Sequence, residues 1–173
     1  MQYISSDTNI WFDFYTVSCL EIPFKLPCTF IMFGEALRKE IIHPPGLISE
    51  LQEKGLQTVD IDTAEFYLAE ELRSRYRKIS AYDAIALSIA KSRGILLVTG
   101  DNALRLAAKN EAVEVKGTIG LLDSVYEQKL IDRTEYISCL ERFLSHPERR
   151  LPVDEIEKRL EMERKKEDDA YGG

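Results

Sequence analysis

A chain of 173 residues is long enough for one domain with a sizeable core. Its 45% apolar and 31% charged residues are an ordinary soluble mixture, and the net charge of −7 argues against wholesale wrapping of a polyanion while leaving room for a local basic strip. The three cysteines (Cys19, Cys28 and Cys139) show no C-x-x-C spacing, which argues against a disulfide frame or a zinc site and fits a reducing compartment.

In chain order, the first expected strand is Tyr3 to Ser6. Asn9 to Leu20 is apolar enough for a buried helix or packed loop. The greasy stretch Asn9–Phe33 is broken by Asp13, Glu21, Pro23, Lys25 and Pro27, too often for a membrane span, and no basic n-region precedes it. The expectation is a cytoplasmic protein. Thr29–Phe33 is β-branched and aromatic, a buried-strand signal. A short helix is expected over Glu35–Ile42, stopped by His43-Pro44-Pro45-Gly46, and a second over Leu47–Lys54, ended by Gly55. Leu56–Val59 reads as a strand. Thr63 opens a helix through Arg77, with glutamates early and Arg73, Arg75, Arg77 and Lys78 late, as the helix dipole favours. Another helix runs from Ser80 to Arg93, before Gly94.

Ile95–Thr99 is a continuous apolar run, as in a strand covered on both faces. Gly100-Asp101 leads into a helix through Lys109. Val113–Val115 is a short strand, and Ile119–Lys129 a further helix. Beyond Asp132 the chain reads as helical, with Val153, Ile156 and Leu160 on one side of the last helix. Strands alternating with helices predict an α/β fold on a parallel sheet.

Ligand sites in open parallel sheets lie beyond the carboxyl ends of the strands. Asp7 stands after the first strand, Glu40 a turn or so past the second, and Asp101 after Ile95–Thr99; Asp83 opens the helix from Ser80. Each has a structural reading too. Ser80 and Asp83 fit a capping box, Asp101 an N-cap, Asp7 an Asx turn, and Glu40 an ordinary boundary glutamate. Against these readings, the helix after Asp83 is apolar almost all round, which places its first-turn acid at the edge of the core. At about 100° per residue, Glu40 projects among Phe33, Leu37 and Ile41 while Glu35 faces away. Inward acids without His or Cys ligands suit a hard cation, Mg²⁺ or Mn²⁺, and so hydrolysis at phosphorus.

The ordered segments "SDTN", "EALRKEI", "SAYDAIALSIAKSRG" and "LLVTGDNALRLAA", with "VKGTIGLL" after them, resemble the PIN-domain nucleases. The nearest-looking group is the PilT-N-terminus/VapC-like branch, ribonuclease toxins of type II toxin–antitoxin pairs. The resemblance runs from about Tyr3 to Ile131. It implies a three-layer α/β/α sandwich with a central parallel sheet, residues 1–131 forming the nuclease domain; it gives the rest no role, and the residues themselves read as a helical extension over 132–166 and a disordered tail over 167–173. It also implies an Mg²⁺- or Mn²⁺-dependent endoribonuclease. Asp7, Glu40, Asp83 and Asp101 would be its catalytic acids and Asp7, Asp83 and Asp101 its metal ligands, with Thr99 and Asn9 in support.

The substrate implied is RNA. Arg73, Arg75, Arg77, Lys78 and Arg105 are candidate phosphate contacts, although the first four also read as C-terminal helix cations. A cognate antitoxin and a homodimer are the implied partners, with Trp11, Phe12, Phe14 and Tyr15 as candidates for those faces and core packing as the competing role. A catalytically silent PIN-like binding or scaffold module is the rival reading. Dinucleotide-fold and P-loop alternatives fail for want of G-x-G-x-x-G and G-x-x-x-x-G-K-[ST], and neither His43 nor His146 adjoins a nucleophile motif.

Overall fold

The computed structural model describes residues 2–171, with side chains through residue 167. Five parallel strands form one sheet: β1 (Gln2–Ser6), β2 (Cys28–Phe33), β3 (Gln57–Val59), β4 (Leu96–Val98) and β5 (Val115–Lys116), in the order β3-β2-β1-β4-β5. Among the described residues the helices are α1 (Thr8–Thr16), α2 (Gly34–Glu40), α3 (Leu47–Glu53), α4 (Thr63–Arg75), α5 (Ala81–Arg93), α6 (Asn102–Asn110), α7 (Thr118–Glu127), α8 (Arg133–Leu144) and α9 (Val153–Tyr171), with 3₁₀ turns at Pro23–Lys25 and Pro147–Arg149. They cover both faces of the sheet, the expected α/β/α sandwich with additional C-terminal helices.

Strand alternation divides the core. Ile4 and Val98 face a cluster built on Trp11, Phe14, Leu37 and Phe143, while Leu97 faces Leu72, Leu87 and Leu104 on the other side. Trp11 stacks on Phe24 (ring centroids 5.0 Å apart) and meets Phe30 edge-on at 5.1 Å. Trp11 and Phe14 are therefore core residues rather than interface candidates; Phe12 is half-buried and Tyr15 is exposed. Tyr136, Cys139, Leu140 and Phe143 of α8 and Ile156 and Leu160 of α9 belong to the same cluster as Ile4 and Trp11, so the C-terminal helices and the sheet share one core. Val153, expected on that buried stripe, is half-exposed. The α9 backbone continues to Tyr171, into the stretch read from sequence as a tail, and the remainder of that stretch, 172–173, lies outside the described residues. No helix among the described residues is long and apolar enough to cross a membrane.

Element ends follow local chemistry. Capping boxes start α4 (Asp62, Glu65), α5 (Ser80, Asp83) and α8 (Asp132, Glu135). Gly94 ends α5 in the left-handed conformation (φ 62°). The last strand lies two residues later than its β-branched residues suggest. Ala112 takes φ 56°, and the N–H of Val113 donates to the carbonyl of Ala108 at 2.8 Å, so Val113 closes α6 and the ladder begins at Val115.

Candidate active site

The order of the strands reverses between β1 and β4, and the carboxyl ends of these two strands meet there. Ser6 pairs with Val98, and the next N–H, that of Asp7, donates to the Val98 carbonyl at 3.0 Å. Asp7 occupies the N-cap position of α1, yet its carboxylate caps nothing. Oδ2 accepts the hydroxyl of Thr99 at 2.8 Å and the amide of Asn9 at 3.3 Å. Thr8 lies between two acids, with its hydroxyl 3.3 Å from Asp7 Oδ1 and 3.0 Å from Glu40 Oε2. The single hydroxyl proton serves one of them at a time.

Burial pushes the Asp7 carboxyl up to about 7, the Asp83 and Glu40 charges push the same way, and the Thr99 hydrogen bond opposes them. The Glu40 carboxyl is also raised, by burial first and by Asp83, against the Thr8 hydrogen bond. No cation forms an ion pair with Asp7, Glu40 or Asp83 among the described residues. Three carboxylates thus share one neighbourhood uncompensated, an expensive arrangement for a fold to keep.

Asp83 and Asp101 realise their structural readings. Asp83 Oδ2 accepts the Ser80 N–H at 2.7 Å, and Asp101 Oδ1 accepts the Leu104 N–H at 2.7 Å. Asp101 joins the site through its backbone, whose N–H donates to Thr99 Oγ1 at 3.0 Å; that hydroxyl in turn donates to Asp7. Asp101 is not among the charges that perturb Asp7.

The donor chemistry fits Mg²⁺ or Mn²⁺. Every candidate ligand atom is a carboxylate oxygen, and Glu40 Oε1, Asp83 Oδ1 and Asp101 Oδ2 engage in no hydrogen bond among the described residues. As the side chains stand, however, no three His, Cys, Asp or Glu among the described residues are grouped to hold an ion. Oδ2 of Asp83 and Oδ1 of Asp101 are turned instead to the N–H groups they cap.

Sequence reasoning treated Asp13 only as an interruption in a greasy stretch. Its side chain is buried, accepts the Arg149 Nε–H at 2.7 Å and accepts the Thr118 hydroxyl. Burial raises its carboxyl, and Thr118 and Arg149 hold it down in part. Arg149 Nη2 also reaches the Asn9 carbonyl at 3.4 Å. A carboxylate at helical spacing from Ile10 and Val17, both buried, is the available signal; its arginine partner lies 136 residues away and leaves none.

Of the basic candidates, Arg75 is committed to Glu71 and Glu111, in a network with Lys91 and Tyr76, and so is withdrawn from phosphate contact. Arg73, Arg77 and Lys78 are exposed. Arg105 lies beyond Asp101, beside Gly117, where an added Cβ would stand 3.2 Å from its Nη1.

A family model described as a PIN domain matches residues 4–164. The chain belongs to the PIN-domain family. The match takes in α8 and most of α9, further than the motifs alone reach, so these helices are part of this PIN domain's family pattern. Comparison with curated proteins and with solved structures gave no significant match. PIN domains are in general metal-dependent nucleases.

Proposed function

We propose that this PIN domain is an Mg²⁺- or Mn²⁺-dependent endoribonuclease of the VapC-like branch, the toxin of a type II pair, held inactive by an antitoxin and working as a homodimer. One observation carries the catalytic part: a buried carboxylate, Asp7, that caps no helix, pairs with no cation and is crowded by Asp83 and Glu40. A fold that only needed an N-cap would not keep this charge, because Ser or Asn caps equally well.

Asp7, Asp83 and Asp101 would hold the ion, with Glu40 adjoining. When bound, a divalent ion makes water a nucleophile at neutral pH and stabilises charge on the phosphoryl oxygens. Thr99 fixes Oδ2 of Asp7, and its second bond, from the Asp101 N–H, sets the start of α6 relative to β1. Asn9 restrains the same oxygen. Thr8, between Asp7 and Glu40, can present its proton to either, and burial raises the Glu40 carboxyl above its ordinary value.

The test is cleavage of single-stranded RNA in Mn²⁺ by the wild type, Asp7→Asn and Asp83→Asn, with circular dichroism on each. Loss of cutting in folded variants is the expected result; undiminished cutting by both refutes the assignment. The scaffold reading is favoured by the capping roles of Asp83 and Asp101. Under it, millimolar Mn²⁺ leaves the melting temperature unchanged, whereas a functional cluster is stabilised by the ion.

A further inference from the structure

Beyond Asp101 lies a polar groove of about 1090 Å³. Its floor is backbone after β4 and β5, at Gly100 and Gly117, and its far wall is the segment 148–152 between the second 3₁₀ turn and α9. Small-molecule sites reach about 1,000 Å³ and are mostly apolar, so a polar groove of this size suits a chain of repeating charge.

The cations around it divide into two sets. Arg149 is spent on Asp13, and Arg159 on Asp123 and Glu155. Arg105 and Arg150 have no carboxylate within ion-pair distance among the described residues, and Lys116 bonds only the neutral hydroxyl of Ser124, at 2.8 Å. Of the lining acids, Asp13 and Glu155 are neutralised by those arginines, which leaves two opposing charges, Asp101 at the end nearest the acids, with one oxygen on the Leu104 N–H, and exposed Glu148. Arg150 is held in the left-handed conformation (φ 55°, ψ 33°), which strains a non-glycine residue where glycine or asparagine would sit more easily. Gly117, as N-cap of α7, gives the first N–H groups of that ten-residue helix no side-chain acceptor, and Thr118, Ile119 and Gly120 line the groove.

We infer that this groove is the track for the phosphodiester backbone of single-stranded RNA next to the acids, gripped by Arg105, Lys116 and Arg150. The C-terminal segment would then be one wall of the substrate site. The inference rests on the nuclease reading for the identity of its ligand.

The experiment measures binding of a fluorescein-labelled single-stranded RNA to the full chain in EDTA across a salt series, beside Mn²⁺-dependent cleavage of the same RNA. Arg105→Ala and Arg150→Ala should each weaken binding several-fold and reduce the logarithmic salt slope by about 0.7 per cation removed. Lys54→Ala, at the C-cap of α3 and outside the groove lining, should do neither. Variants that bind like the wild type, while the wild type cuts RNA, overturn the track and leave the nuclease reading intact. Weakened binding by the variants, beside a wild type that binds the RNA but does not cut it, upholds the track and removes the nuclease reading. A wild type that neither binds nor cuts overturns both.

Discussion

Replacing Asp7 with Asn should make the metal-free protein more stable, and the gain should grow with pH. A carboxyl moved from 3.8 unfolded to about 7 folded binds its proton more tightly in the folded state. Folding is therefore unpenalised below the unfolded value, and stability is lost as pH rises from about 4 to about 7. At 1.36 kcal/mol per unit, the penalty is about 1.5 kcal/mol at pH 5 and about 4 kcal/mol at pH 8. Asn keeps the shape, its amide oxygen can accept the Thr99 proton, and its amide nitrogen can donate to the Thr8 hydroxyl. Urea unfolding in EDTA at pH 5 and pH 8 should show Asp7→Asn ahead of the wild type by a margin that widens by about 2.5 kcal/mol. With Mn²⁺ in excess the wild type should regain ground and the variant should not. A variant no more stable than the wild type at pH 8 in EDTA would refute the claim that the Asp7 charge is buried and uncompensated.

Arg149→Ala strands a buried carboxylate at Asp13 and should cost about 3–5 kcal/mol in chemical denaturation, whereas Asp13→Asn combined with Arg149→Gln should cost much less. Glu111, held down to about 2 by Lys91, Tyr76 and Arg75, contributes stability above its ordinary range that is lost as pH falls from about 4.5 through 2; because its partners are part-exposed, Glu111→Gln should cost no more than about 2 kcal/mol at pH 7 and about a quarter of that at pH 2.5, read by thermal melts. Phe14→Ala, at a fully buried site against Phe143, should cost about 3–5 kcal/mol by the same measurement.

The parts legible in the sequence are those with short-range causes. The capping box at Ser80 and Asp83, the stop at Gly94 and the apolar strand before Thr99 are written within four or five neighbouring residues. Glu40 was separable from Glu35 because helical geometry fixes their directions; Glu40 is half-buried beside Thr8, and Glu35 is exposed, accepting the Tyr82 hydroxyl. What stayed hidden depends on distant partners. "ERRLP" is an unremarkable polar run until Asp13 is folded beside it. Arg75 matches a phosphate contact in sequence as well as Arg105 does, and only the position of Glu111 removes it. Val113 has the residue type of a strand and serves as a helix terminator, because a left-handed turn at Ala112 intervenes.

The bond between Arg149 and Asp13 carries a consequence for how far this protein can be pared down. A chain ending near residue 131 would keep Asp7, Glu40, Asp83 and Asp101, yet it would strip Phe143 from Phe14 and leave Asp13 without Arg149. The last forty residues are the lid on the vessel, and a fragment without them would be expected to spill, aggregating through Phe14 and through Tyr126, whose ring stacks on Tyr136 of α8 at 4.1 Å in the whole chain.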